Sequence, residues 1–294
     1  MMDISEVVRR RSEFTGPHDL IRTSDGKTLF LRRWDPPRAR GVSVLIFHGI
    51  TAYSEPYGPM VAETLANAGC TVYGLDLRGH GLSDGVRGDY PSPTRYAADL
   101  SEAVAFVRAR SPKLVLLGHS LGVLSALLAQ QVRPNEVDGL VLLSAAKTVR
   151  VGVWPRPSRG QVLKVLVGVT ILRGRPLIEY HREGMIGLED PLFNFRYSAR
   201  FYRAAYGVGA LRVARMFGRG TIDSPYLHPT GGLRVPLLVA VGDQDEAFPV
   251  ESVRAFCEGF DAGDKRFFVI PGAHHAVFPE DSWGPLVTWL DEKF

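Results

Sequence analysis

The pentapeptide Gly118-His119-Ser120-Leu121-Gly122 constrains this chain more than any other stretch. Before it runs Lys113-Leu114-Val115-Leu116-Leu117, an apolar segment of strand length, and after it residues 123–131 are rich in alanine and leucine and read as a buried helix. A G-x-S-x-G between a strand and a helix predicts a turn so tight that only glycine fits two residues either side of the serine, whose Oγ is left exposed above a sheet. Ser120 is therefore a candidate nucleophile. A serine hydroxyl is too weakly acidic to attack a carbonyl unaided, so it needs a neutral imidazole to take its proton. The imidazole needs a carboxylate to fix its tautomer.

The organisation around that turn is regular. Residues 19–34 alternate as an opening hairpin about Ser24-Asp25-Gly26, and near-continuous apolar strands follow at 42–47, 71–75, 113–117, 139–143, 236–241 and 266–270. Helical spacing falls between them at 60–68, 95–110 and 252–260, with a last helix from 283 to the end. This alternation predicts an α/β fold: a mostly parallel central sheet with helices on both faces. The pattern breaks between 147 and 232, where no convincing strand is found. We read 147–232 as an inserted helical cap, and 1–146 with 233–294 as one discontinuous core.

Composition limits the classes available. At 294 residues, 45% hydrophobic and 22% charged, the chain can bury a sizeable core. Cys70 and Cys257 form no CxxC and are expected as buried thiols in a reducing compartment. No metal-ligand spacing and no glycine-rich phosphate loop occurs, so neither metal nor cofactor is expected, and nothing points to nucleic acid. Residues 1–14 carry Arg9-Arg10-Arg11 without an apolar segment and do not read as a secretory signal. The most apolar segment, 162–172, is too short for a membrane span and contains Lys164. A cytoplasmic protein is expected.

In an open parallel sheet the functional residues collect where strands end. Pro271-Gly272-Ala273-His274-His275 follows the last strand and offers two histidines; Gly242-Asp243-Gln244-Asp245, after the preceding one, offers two carboxylates. An oxyanion would need two backbone N–H donors, expected from Leu121, next to the serine, and Ile50, after the 42–47 strand. The chain order Ser, Asp, His is that of the α/β-hydrolases.

The motif set as a whole resembles α/β-hydrolases of the monoacylglycerol lipase and lysophospholipase type, also described as serine aminopeptidase (S33)-like. It comprises His48-Gly49, Asp76-x-Arg78-Gly79-His80-Gly81-x-Ser83-x-Gly85, Arg87-Gly88, Tyr96-x-x-Asp99-Leu100, Gly118-His119-Ser120-x-Gly122, Gly242-x-x-Asp245-x-x-x-Pro249 and Pro271-Gly272-Ala273-x-His275. The resemblance covers about 20–146 and 233–294. It implies that Asp245 is the acid, His275 the base, and 147–232 the family's cap. It further implies serine ester hydrolysis through an acyl-enzyme, without cofactor, on a small acyl ester such as a monoacylglycerol or lysophospholipid. Arg78 and His80 are structural in that resemblance, and the His119 side chain should point away from Ser120. One departure is visible: where the mammalian-type pattern H-G-x-G-E-H-S has glutamate, this chain has Ala52. Peptidase, thioesterase or perhydrolase chemistry on the same residues is the alternative, as is a hydrolase-like binding protein.

The expected cap is unusual in charge. It holds 14 Lys and Arg against 5 Asp and Glu, a net of +9, while the remainder holds 21 against 26, a net of −5. Residues 161–172 are apolar nearly all round and are expected to bury most of that surface against the core, a partner or an acyl chain. Phe193, Phe195, Tyr197, Phe201, Tyr202 and Tyr206 follow, interleaved with arginines. Part of this surface is expected to line an acyl pocket, and the positive charge to favour contact with an anionic lipid interface.

Overall fold

The computed structural model of the chain describes residues 3–153, 158–182, 184–228 and 232–294. Helix α1 (Ile4–Glu13) precedes the hairpin of β1 (His18–Arg22) and β2 (Thr28–Trp34). Strand and helix then alternate: β3 (Val42–Phe47), α2 (Glu63–Asn67), β4 (Thr71–Leu75), α3 (Pro93–Arg108), β5 (Lys113–His119), α4 (Leu121–Val132) and β6 (Gly139–Leu143). Next come α5 (Arg159–Thr170), the short strands β7 (Ile178–Glu179) and β8 (Arg196–Tyr197), α6 (Ala199–Tyr206) and α7 (Ala210–Gly218). The alternation resumes with β9 (Leu237–Gly242), α8 (Val250–Glu258), β10 (Lys265–Ile270) and α9 (Gly284–Lys293).

Eight strands form one sheet in the order β1-β2-β4-β3-β5-β6-β9-β10, antiparallel at β1/β2 and β2/β4 and parallel from β4 onward. The central strands are apolar at both alternating positions because each face meets a helical layer. Leu45, Phe47, Leu114 and Leu116 join the core beneath α3, α4 and α8, whereas Val44, Ile46, Val115 and Leu117 join the core beneath α2 and α9. Each buried leucine or valine contributes about 1.5–3 kcal/mol. α3 starts where Ser92 caps it, its hydroxyl accepting from Arg95 N–H at 3.1 Å, with Pro93 supplying a φ already suited to a helix.

Three features differ from the sequence expectations. Helix α1, unread in the sequence, is held by Val7, which is fully buried, and by Arg11, which reaches Leu82 O and Asp84 Oδ1 at 2.9 Å each. The 147–232 stretch does contain strand, although β7 and β8 are two residues each and too short to show alternation. Finally, α5 does not bury its apolar surface against the core: Leu163 is 62% exposed, and Ile171, just beyond the helix, is 76% exposed. The helix begins at a capping box, in which Ser158 and Gln161 exchange side-chain and backbone bonds, and it packs through Gly168 and Val169.

The 147–232 stretch is pinned to the loops after β3 and β4. Asn194 N–H donates to Thr51 O, Asn194 Nδ2 to Gly79 O at 2.7 Å, and Arg200 pairs with Asp89. Among the described residues no helix is long and apolar enough to cross a membrane.

Candidate active site

The carboxyl ends of β3, β5, β9 and β10 converge on one point. Ser120 takes φ 54° and ψ −118°, a left-handed conformation that a side chain adopts at a cost of about 1–3 kcal/mol. Its N–H donates to Leu143 O at 2.9 Å. The flanking glycines are required sterically: a Cβ on Gly118 would lie 2.4 Å from Gly122 O, and one on Gly122 would lie 1.9 Å from Phe47 O. The strained turn thus brings β5, α4 and β3 too close together for any side chain but hydrogen.

Ser120 Oγ lies 3.0 Å from His275 Nε2, and His275 Nδ1 lies 3.1 and 3.2 Å from the two carboxylate oxygens of Asp245. Facing an ionised carboxylate, Nδ1 carries the proton and Nε2 is left to accept from the serine. Asp245 Oδ1 also accepts from Ala247 and Phe248 N–H at 2.8 and 2.9 Å. Burial pushes the Asp245 carboxyl up, but the His275 ring and these two amides more than reverse that and hold it at about 2. Phe248 stacks on the His275 ring with centroids 5.5 Å apart.

The structure separates the two doublets. Asp243 faces away from the histidine and accepts from Gly272 N–H at 2.8 Å, stapling the turn after β10. His274 points outward to Glu246 Oε1 at 2.9 Å, while Glu246 Oε2 accepts from the His275 N–H at 3.0 Å. Glu246, adjacent to Asp245, thus ties the loops after β9 and β10 together. No motif marked it in the sequence.

Leu121 opens α4, so its N–H has no acceptor within the helix, and Ile50 lies across the site after β3. Among the described residues neither amide N–H meets an acceptor. The loop that carries Ile50 is held from several sides. His48 Nε2 accepts from Leu77 N–H at 3.1 Å, which leaves its Nδ1–H to donate to Gly49 O at 2.8 Å. Because the peptide is planar, fixing the Gly49 oxygen also aims the Ile50 N–H. Tyr197 Oη donates to Ile50 O.

Arg78 and His80 lie outside this constellation. Arg78 forms a two-toothed pair with Asp99 at 2.7 and 2.9 Å and His80 is fully buried. His119 points away from Ser120 Oγ, its Nε2 2.7 Å from His275 O.

Two clefts meet at Ser120. One is lined mainly by apolar groups, including Leu124, Ala145, Tyr206, Ile222, Leu227 and Phe248. The other mixes Met60, Ile186 and Phe193 with Thr51, Tyr57, His119 and Arg182. Of the aromatic stretch, only Phe193 and Tyr206 reach these clefts; Tyr197, Phe201 and Tyr202 pack into the core. No residue of α5 lines either cleft, so the part of the expected surface that meets them is Phe193 and Tyr206.

Sheet, strained serine turn and converging strand ends together define an α/β-hydrolase. Residues 37–282 match the family described as serine aminopeptidase, S33, and the chain belongs to that family, within the monoacylglycerol lipase and lysophospholipase type of α/β-hydrolase. A monoacylglycerol lipase of Mycolicibacterium smegmatis is 28% identical over 256 residues, 84% of this chain and 85% of that one. A monoglyceride lipase of Rattus norvegicus is 25% identical over 281 residues, covering 90% and 84%. The crystal structure of Paleococcus ferrophilus monoacylglycerol lipase matches with a TM-score of 0.63 and 26% identity, covering 90% of this chain and 99% of that one. The chain is an ester hydrolase of the carboxylesterase and lipase type, acting on a small-molecule ester.

Proposed function

We propose that Ser120, His275 and Asp245 hydrolyse acyl esters of medium or long chain through an acyl-enzyme. The observation that carries this is the 3.0 Å approach of Ser120 Oγ to a His275 ring already backed by Asp245. Ser120 Oγ attacks the ester carbonyl carbon as its proton passes to His275 Nε2, and the Ile50 and Leu121 N–H groups bind the oxyanion. His275 returns the proton to the departing alcohol, leaving the acyl group on Ser120. Water, deprotonated by the same nitrogen, then releases the acid.

The apolar cleft suits the acyl chain and the mixed cleft the alcohol. Residues 147–232 act as a cap, a role supported by Tyr206, Ile222 and Leu227 on the acyl side and by Arg182 and Phe193 on the other. With Ala52 where the mammalian-type pattern has glutamate, the alcohol need not be glycerol. The exposed apolar residues of α5, set in a stretch of net charge +9, are proposed to touch an anionic lipid interface.

The test is the initial rate on p-nitrophenyl esters of increasing acyl length, for wild type and Ser120→Ala. A maximum at eight carbons or longer, with at least a thousandfold loss in the variant, is expected. A maximum at acetate would contradict the acyl-cleft assignment, and an unchanged rate in Ser120→Ala would remove the mechanism.

A further inference from the structure

A chain of hydrogen bonds beneath the mixed cleft has no part in the chemistry described above. Gly49 N–H donates to Tyr57 Oη at 2.8 Å, Tyr57 Oη lies 2.7 Å from His119 Nδ1, and His119 Nε2 lies 2.7 Å from His275 O. Every proton in this chain has one possible place. A carbonyl oxygen only accepts, so His119 Nε2 bears the hydrogen and donates to His275. A neutral imidazole has a single N–H, so Nδ1 accepts and the Tyr57 hydroxyl donates to it. The tyrosine oxygen takes the Gly49 N–H on a lone pair. Burial lowers His119 to about 3, so the ring stays neutral and the chain keeps its direction at neutral pH.

What the chain joins gives it meaning. Gly49 precedes Ile50, the proposed oxyanion donor; His119 precedes Ser120, the proposed nucleophile; and His275 is the proposed base. They come from three strand ends that share no other element. Tyr57 lies eight residues beyond Gly49 on the same loop after β3, where it leads into a single π-helical turn (Gly58–Ala62), and belongs to none of the sequence motifs. Its side chain is almost wholly enclosed, with 2% of the residue exposed.

We propose that Tyr57 is a positioning residue whose hydroxyl holds the oxyanion loop directly, and the His275 backbone through His119, in one register about Ser120. Acyl transfer depends on donor, nucleophile and base standing within fractions of an ångström of their working places, and a misplacement of about 1 Å costs about a hundredfold in rate. A group that ties the loop to the base therefore acts on kcat while touching no reacting atom. The inference rests on the roles proposed for Ser120 and His275.

The test is Tyr57→Phe, which keeps the ring and removes the hydroxyl. Active sites are counted by stoichiometric fluorophosphonate labelling, and kcat is expressed per labelled site. We expect near-complete labelling at long times, a fall in kcat of about 10- to 100-fold, and KM within about twofold. His119→Leu, which breaks the chain at its other end, should lose a similar factor. The double variant should be no more than about threefold worse than the poorer single one, since the chain is already cut. His119→Gln, which keeps an amide donor within reach of His275 O, should recover much of the loss and serves if Tyr57→Phe fails to fold. A loss confined to the labelled fraction, a change mainly in KM, losses that multiply in the double variant, or no recovery in His119→Gln would each overturn the proposal. Ser120→Ala is the control: labelling or turnover surviving there would refute the acyl-enzyme reading itself, whatever Tyr57→Phe does.

Discussion

Ser120 owes its exposure to backbone geometry more than to its own side chain. The left-handed φ of 54° is maintained because α4 and β3 meet across Gly122 with no side chain between them. Gly122→Ala would drive a methyl group to 1.9 Å from Phe47 O, a backbone atom that cannot swing aside. The helix would have to back away from the strand and carry Leu121 N–H with it. We expect a loss of more than about 3 kcal/mol, read as a drop of several degrees in thermal midpoint. Activity on a long-chain ester should fall by more than about a hundredfold in the fraction that still folds. A variant with wild-type midpoint and rate would show that the close approach is not required. Asp245 is a contrasting case, because its place is set by hydrogen bonds. Two amides and an imidazole hold its carboxyl at about 2 despite burial, so it stays ionised wherever the enzyme works.

At the scale of elements, the parts legible in the sequence are those whose causes are local. Only glycine meets the steric demand around Ser120, and strands buried on both faces must be apolar at nearly every position. That is why β3, β5, β6 and β9 could be placed from composition alone. Choosing Asp245 over Asp243 and His275 over His274 needed the family resemblance, since the two members of each doublet differ in direction and not in type. Glu246, Tyr57 and α1 were illegible because their roles are contacts between segments distant in the chain. Helix α5 shows the opposite failure: its apolarity was plain, but much of that apolar surface stays exposed. Leu163→Glu with Ile171→Glu should leave the thermal midpoint within about 2 °C, because both side chains are mostly exposed. The same pair should cut sedimentation with anionic vesicles at low salt at least severalfold. Equal binding of wild type to anionic and zwitterionic vesicles would contradict the proposed lipid contact.

For the molecule as a whole, the buried histidines couple stability to acidity. Burial lowers His48 to about 4 and His119 to about 3, and lowers His80 well below its ordinary value of 6.5. At pH 5 these rings are neutral when folded and mostly protonated when unfolded, so unfolding takes up protons and stability rises with pH. As the pH falls from about 6.5 toward 4, each ring costs about 1.4 kcal/mol per unit. Asp76, whose carboxyl is raised by burial, offsets this only in part. Calorimetric unfolding at pH 5 in buffers of differing ionisation enthalpy should show a net uptake of more than two protons, and an uptake near zero would mean that the three rings are not held neutral. These rings secure the loops around Ser120, and the covalent step at that serine is the claim on which the rest depends. The most direct measurement is acid quenching within milliseconds of mixing with a long-chain p-nitrophenyl ester, followed by peptide mass analysis. An acyl group on the peptide bearing Ser120, absent from Ser120→Ala and decaying at the rate of turnover, is expected; steady turnover with no acyl group on that peptide would contradict the account.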